Sequence, residues 1–360
     1  MKKSLIALAV LAASGVASAQ STVTLYGLVD AYIGSSKEKS TVGVTTLTVP
    51  RQTVINSGGF NTSRFGLRGS EDLGGGLKAN FLLESGFDVD TGGARSYTNP
   101  YTGVGSNSVF SRQSWVGVSG GFGEVKLGKM WTPFDDVKGF GAAGFDAGIS
   151  APANNVWLSN GYEDRPGNAI YYSTPDFSGF SAAAMYSLGE NKAANVSAGK
   201  IASVNVKYAA GPAFVALSHQ EQKANGGVAA TKYTQLNGSW DFGVAKLLGA
   251  YGQVKNVSFT NITLTPTTPP ATTVVDKSKE YQLGVDVPLG AALTLSGGVA
   301  RAKITLAGGG EVKSTGFGLA AKYDVSKRTF LYTGLQLAKS EIGTSERKTD
   351  TYAVGVQHRF

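Results

Sequence analysis

The 360-residue chain has no cysteine and only two histidines, His219 and His358. Without cysteine there is no disulfide framework, no thiol nucleophile and no thiolate metal site. Two histidines leave almost no material for imidazole chemistry. Beyond the N-terminus there is no apolar run of eighteen residues, which excludes a helical membrane protein. Enzymatic patterns are equally thin. Ser218-His219 is the only adjacent serine–histidine pair, and a hydrolase would need its base and acid partner gathered at one place. Gly128-Lys129 is followed by Met130 and lacks the upstream spacing of a phosphate loop. Basic residues are scattered, so nucleic-acid binding has no support. No pattern calls for a cofactor or a metal. What the chain does have is glycine, 49 residues, about twice the usual share. With 42% hydrophobic residues and a mean hydropathy of -0.04, the chain is neither disordered nor an obvious membrane protein.

The first residues read as an address. Lys2 and Lys3 precede an apolar stretch from Leu5 to Val16, and Ala17-Ser18-Ala19 is a small-residue cleavage site. This predicts a removable export signal over residues 1–19 and one domain over 20–360. A retained N-terminal anchor is the competing reading. Loss of the two lysines would lower the net charge from +8 to about +6. A cysteine-free exported chain of this size suits a bacterial envelope better than a small secreted module.

From Val23 onward the period is two. Val23, Leu25, Gly27, Val29, Ala31 and Ile33 fall on one face, and Thr24, Tyr26, Asp30 and Tyr32 largely on the other. The same alternation returns around Phe65 and Leu67 against Arg64 and Arg68, around Tyr281 and Leu283, around Phe317 and Leu319, and from Tyr352 to Phe360. Strict alternation means strands with one apolar and one polar face, and no helical period is evident. Tight Gly/Asp/Pro connections at 72–76, 120–123, 175–179, 210–212, 241–243, 288–290 and 324–327 alternate with longer polar stretches. The latter fall at 35–60, 88–108, 131–165, 189–200, 222–231, 254–278, 305–313 and 340–350. Seven short and eight long connections imply sixteen strands, with short turns at one rim and long loops at the other. The prediction is an all-β, sixteen-stranded antiparallel transmembrane barrel in the outer membrane, its turns periplasmic and its loops extracellular. Prolines mark the stretch around 260–273 as a loop tip. A secreted β-sandwich would also alternate, but it does not predict this order of connections. Aromatics recur near strand ends, as interfacial girdles require.

The chain ends on Phe360, with Tyr352, Val354 and Val356 at alternate positions before it. A last strand of this kind can close a barrel against the first, and it resembles the signature read by the outer-membrane assembly machinery. More specific still are residues 21–30 (STVTLYGLVD), 62–79 (TSRFGLRGSEDLGGGLKA), 122–128 (FGEVKLG), 171–177 (YYSTPDF), 326–329 (SKRT) and 357–360 (QHRF). Together these resemble the β-proteobacterial general-diffusion porins of the Gram-negative outer membrane, from end to end. The resemblance implies a homotrimer set among outer-membrane lipid and lipopolysaccharide, with passive diffusion of small hydrophilic solutes and anions.

It also implies a third loop folded inward to narrow the lumen. The third long connection, 131–165, is the longest and carries Asp135, Asp136, Asp146, Glu163 and Asp164. By motif, Arg64, Arg112 and Arg165 correspond to the family's basic wall at the narrowest point, with Arg68, Lys78 and Lys126 as secondary basic lumen residues. Permanently charged guanidiniums in a narrow tube attract anions over about one Debye length, ~8 Å at physiological salt. The expectation is an anion-preferring channel. Each arginine has a plainer alternative, a wall residue neutralised by a neighbouring carboxylate. Two other functions stay open: a substrate-specific channel, and a surface adhesin or receptor acting through the loops at 35–60 and 254–278.

Overall fold

The computed structural model describes residues 22–95, 97–98, 105–106, 108–189, 197–224, 226, 229–259 and 273–360. The expected export signal, and most of the proline-rich loop tip, lie outside the described residues. The strands are β1 (Thr22–Val42), β2 (Thr45–Ser57), β3 (Arg64–Gly74), β4 (Leu77–Gly86), β5 (Gln113–Gly120), β6 (Gly123–Lys129), β7 (Ala169–Ser173), β8 (Phe180–Ser187) and β9 (Lys200–Ala210). They continue with β10 (Ala213–Lys223), β11 (Thr231–Asp241), β12 (Lys246–Phe259), β13 (Thr273–Leu289), β14 (Leu293–Leu306), β15 (Glu311–Asp324), β16 (Thr329–Ile342) and β17 (Ser345–Arg359).

Each strand pairs antiparallel with the next, except that β2 and β3 both pair with β1. The first strand pairs with β2 over its upper part and with β3 over its lower part, so β2 and β3 share one broken position. That leaves sixteen positions around the sheet. On its other side β1 pairs with β17, from Leu28↔Arg359 to Thr41↔Glu346, which closes the barrel and leaves no open edge at the seam. Phe360 completes the seam: its backbone exchanges hydrogen bonds with Gly27, and its ring lies where a Cβ on Gly27 would stand, 2.4 Å away.

The polarity is inside out. Leu283 is 69% exposed, Val206 57% and Val354 56%, all in the outward register, whereas Gln220, Asn237 and Gln357 are fully buried facing inward. In water such an exterior would be an aggregation liability; against lipid tails it is the stable arrangement. Tyr352, Val354, Val356 and Phe360 all point outward, so the aromatic end of the chain belongs to the lipid-facing band.

The seven tight turns stand where the spacing puts them, with Gly211, Gly243 and Gly290 at positive φ in three of them. The long connections differ from expectation. Residues 35–60 are mostly strand: β1 and β2 form a projecting hairpin turned at Gly43-Val44, and β16 meets β17 at Gly343-Thr344. The reason is physical. Alternation marks a strand only where one face meets lipid, and residues 45–56 are exposed on both faces. Threonines still hold the ladder there without a dyad to show it.

The third loop runs from Met130 to Asn168 and folds into the barrel. It contains one helix, α1 (Pro133–Lys138), and three short 3-10 turns. Six residues are too few to leave a helical period in the sequence, so α1 is visible only in its cap: Thr132 Oγ1 accepts the Asp135 amide at 3.3 Å. Phe134 and Val137 are fully buried. Inward polar side chains pin the loop to the far wall. Asn205 donates to the Pro133 carbonyl (2.6 Å), Gln282 to Gly141 (3.0 Å) and Gln336 to Asn154 (2.6 Å). Ser296 accepts the Gly144 amide at 2.8 Å, and the Glu280 carboxylate accepts the Leu158 amide at 2.7 Å.

Glycine explains how the loop lies so close. Gly284, Gly298 and Gly318 stand side by side in register on three adjacent strands. A Cβ on Gly318 would come within 1.9 Å of the Ser150 carbonyl oxygen, and one on Gly298 within 2.6 Å of the Ala143 Cβ. The wall under the loop is bare backbone.

Candidate functional site

The candidate site is assembled around one buried carboxylate. Glu84, on β4, is 3% exposed. It receives Arg112 Nε at 2.7 Å, Arg64 Nε at 3.3 Å and the Tyr26 hydroxyl at 3.0 Å. Arg64 opens β3 and Arg112 sits just before β5, so cross-strand register brings both guanidiniums to the same acid. Arg112 also lies over the Trp131 ring (5.4 Å), as does Arg165 (4.3 Å). Arg165 belongs to the returning leg of the third loop rather than to a strand, a departure from its expected place on the wall. It pairs with Asp164 at 3.2 Å.

A cavity of about 550 Å³ opens here, lined by Arg95 and Arg112 and, from the third loop, by Trp131, Asp135, Asp146 and Arg165. Arg64 reaches the cluster through Glu84 and is not among the cavity's lining residues. A second cavity, about 580 Å³, lies on the other side of the loop. Asp135, Lys138 and Asp146 line both, so they stand at the passage between them.

The loop acids divide. Asp135 accepts the Tyr162 hydroxyl, and Lys138 lies over the same ring at 5.2 Å. Burial, then the neighbouring Asp164 carboxylate, hold Asp135 above the ordinary carboxylate range; burial does the same for Asp146. Asp136 is turned to the second cavity, where it accepts the Tyr171 hydroxyl at 2.7 Å. Glu163 does not face the passage. Tyr162, Asp164 and Arg165 line the cavity, whereas the Glu163 side chain is buried, 1% exposed, and its backbone carbonyl accepts from Gln220 at 2.8 Å.

Of the secondary cations, Arg68 lies over the Tyr26 ring (5.2 Å). Lys126 lies over Tyr171 (4.3 Å) and pairs with Glu124 (3.3 Å). Both line the lumen toward the short-turn rim. Lys78 stands further out, exposed beside the turn between β3 and β4, away from the cluster. Sequence reading missed Arg95, Trp131, Lys138 and Glu84. Glu84 carried a signal, a lone acid in the apolar run Phe81 to Gly86, on the alternate register from Phe81 and Leu83.

The comparisons with known proteins agree with this architecture. A family described as Gram-negative porin matches residues 5–343. Outer membrane porin protein 32 of Delftia acidovorans is 35% identical, over 99% of this chain and 95% of its own length. An outer membrane porin protein of Bordetella pertussis is 32% identical over the whole of both chains. Among solved structures, the anion-selective porin from Comamonas acidovorans superposes with a TM-score of 0.72 at 28% identity, covering 95% of this chain and 100% of that one.

Proposed function

The chain belongs to the Gram-negative porin family, and from that premise we propose that the passage beside Asp135, Lys138 and Asp146 sets an anion preference in a passive diffusion channel. The protein is an outer-membrane porin that lets ions and small hydrophilic solutes diffuse through its barrel. The observation that carries the preference is an imbalance of certainty in charge. Arg95, Arg112 and Arg165 are guanidiniums, ionised at every physiological pH. Asp135 and Asp146, which line the same cavity, are held toward their neutral forms. The resulting field favours chloride over potassium, in line with the Comamonas acidovorans porin, which is described as anion-selective. Arg64 and Arg112 form the fixed part of that field, and Arg165 the part carried by the loop. Arg68, Lys78 and Lys126 extend it toward the periplasmic mouth. No chemical step is assigned to the protein.

Reversing the wall tests this reading. Arg64→Glu with Arg112→Glu is expected to lower the chloride-to-potassium permeability ratio several-fold, measured from zero-current potentials in planar bilayers. An unchanged ratio would move selectivity away from this wall. The same family membership supports a homotrimer, and the last strand, with Tyr352, Val354, Val356 and Phe360, is the signature that the barrel-assembly machinery would recognise. Conductance steps in groups of three, and a trimeric mass in mild detergent, are the expected signatures.

A further inference from the structure

The second cavity, about 580 Å³, differs from the first in what it shows to water. Its strand residues Lys246, Thr294, Lys322 and Arg359 lie beside the tight turns, so it occupies the short-turn side of the third loop. Four phenylalanines line it, Phe60, Phe140, Phe145 and Phe330, whereas none of the described residues lining the first cavity is a phenylalanine. Packing of the loop accounts for one face of Phe140 only. Its ring stacks on Phe214 of β10 at 4.2 Å, yet the residue stays 46% exposed. Phe145 is held at φ 59°, between Gly144 at 66° and Asp146 at 52°. That left-handed region is unfavourable for a bulky side chain, and the turn it makes sets the Phe145 ring 5.4 Å from that of Phe60. Phe60 in turn meets Phe330 edge-on at 4.9 Å. Two aromatic surfaces therefore border one concave site, and apolar surface left open in such a place marks where a ligand is covered.

The charges around the cavity say which ligand. Asp135 and Asp136 accept tyrosine hydroxyls, and Asp286 stands in register with Lys246. Lys322 pairs with Asp324 at 3.1 Å and lies over the Phe330 ring at 5.3 Å. Lys138 and Asp146 belong to the passage into the first cavity. Arg359 is different. It is exposed, and among the described residues it has no carboxylate within ion-pair distance. It stands one inward position beyond Gln357, the register partner of Phe330, so an unneutralised guanidinium borders the aromatic cluster.

We propose that the second cavity is a binding site for small aromatic carboxylates, solutes of one ring and one carboxylate, as they pass through the channel. The Arg359 guanidinium takes the carboxylate on its fork of N–H donors, and the ring lies against the phenylalanines. The two parts select together: an inorganic anion lacks the ring, and a neutral arene lacks the charge. A weak site of this kind raises the occupancy of a dilute solute in the lumen without trapping it. The inference rests on the chain being a conducting porin and goes beyond its anion preference, which other arginines set in the first cavity.

The test uses the folded full-length porin in planar bilayers and reads block of its current in potassium chloride, with each solute added to both sides. The solutes are benzoate, cyclohexanecarboxylate, which keeps the charge without the aromatic ring, and benzylammonium, which keeps the ring and reverses the charge. Benzoate is expected to reach half-block at a concentration roughly threefold to tenfold below that of cyclohexanecarboxylate, the worth of an aromatic contact beyond its area. Benzylammonium is expected to block far less. Phe60→Leu/Phe140→Leu should bring the two carboxylates together, whereas Arg359→Gln should weaken both by roughly threefold to fivefold and leave their ratio as it is. Discrete conductance steps in potassium chloride alone show that each variant still forms a pore. Cyclohexanecarboxylate or benzylammonium equal to benzoate on the wild-type protein would overturn the proposal, a result that needs no variant to fold. So would benzoate block that is lost in Arg112→Gln but kept in Arg359→Gln, which would move the site to the first cavity. A channel that conducts and is blocked by none of the three overturns the proposal and leaves the porin reading standing; absence of any conduction would overturn both.

Discussion

Glu84 holds two guanidiniums and a phenol at once, so its charge sets how much of the wall's positive field reaches the lumen. Replacing it by Gln keeps the shape and removes the neutralising charge. Glu84→Gln is therefore expected to raise the chloride-to-potassium permeability ratio while costing about 3 kcal/mol of stability, read from denaturant unfolding, because a buried guanidinium loses its acid. Across the passage, Asp135 faces Asp164, Asp136 and Lys138 and accepts a hydrogen bond from Tyr162. Its raised affinity for a proton means that it becomes neutral earlier than an ordinary carboxylate as pH falls, while the arginines stay charged. Anion preference should thus grow between pH 8 and pH 5. In Asp135→Asn the preference should begin high and respond less to pH; a wild-type ratio that is flat over this range would contradict the assignment. Arg64 was legible in the sequence because it stands in a family motif on a dyad strand, and Arg112 by motif alone, just before one. Glu163 lies buried between two residues that line the cavity, and nothing local in the sequence tells which loop acids reach the lumen.

At the scale of elements, the third loop is held by close approach as much as by hydrogen bonds. The bare strip formed by Gly284, Gly298 and Gly318 admits its backbone where any side chain would collide. Gly318→Leu is expected to push the Ser150 region off the wall and raise single-channel conductance, with the barrel itself intact by heat-modified gel mobility. Conductance equal to the wild-type value would show that the loop does not depend on that contact. Strand number and turn positions were readable from the alternation and from the spacing of short and long connections, since lipid on one side and water on the other force a period of two. The β2 arm of the projecting hairpin was not, because residues 45–56 are exposed on both faces and the signal vanishes with the second solvent. The one-turn helix α1 escaped for the opposite reason: it is too short to repeat.

For the whole molecule, the scarcities noticed at the outset find a common cause. A diffusion pore needs no thiol and almost no imidazole; it needs a closed sheet, a shaped lumen and fixed charge. The glycine excess is divided between tight turns and the strip under the third loop, and the near-zero hydropathy is an average over faces of opposite character. The central claim is that this closed barrel conducts and that its narrowest passage favours anions. The most direct measurement is the zero-current potential of single wild-type channels in a planar bilayer bathed by a potassium chloride gradient. The account predicts discrete conductance steps with the potential displaced toward the chloride equilibrium value. A potential displaced toward the potassium value, or a bilayer that never conducts, would contradict it.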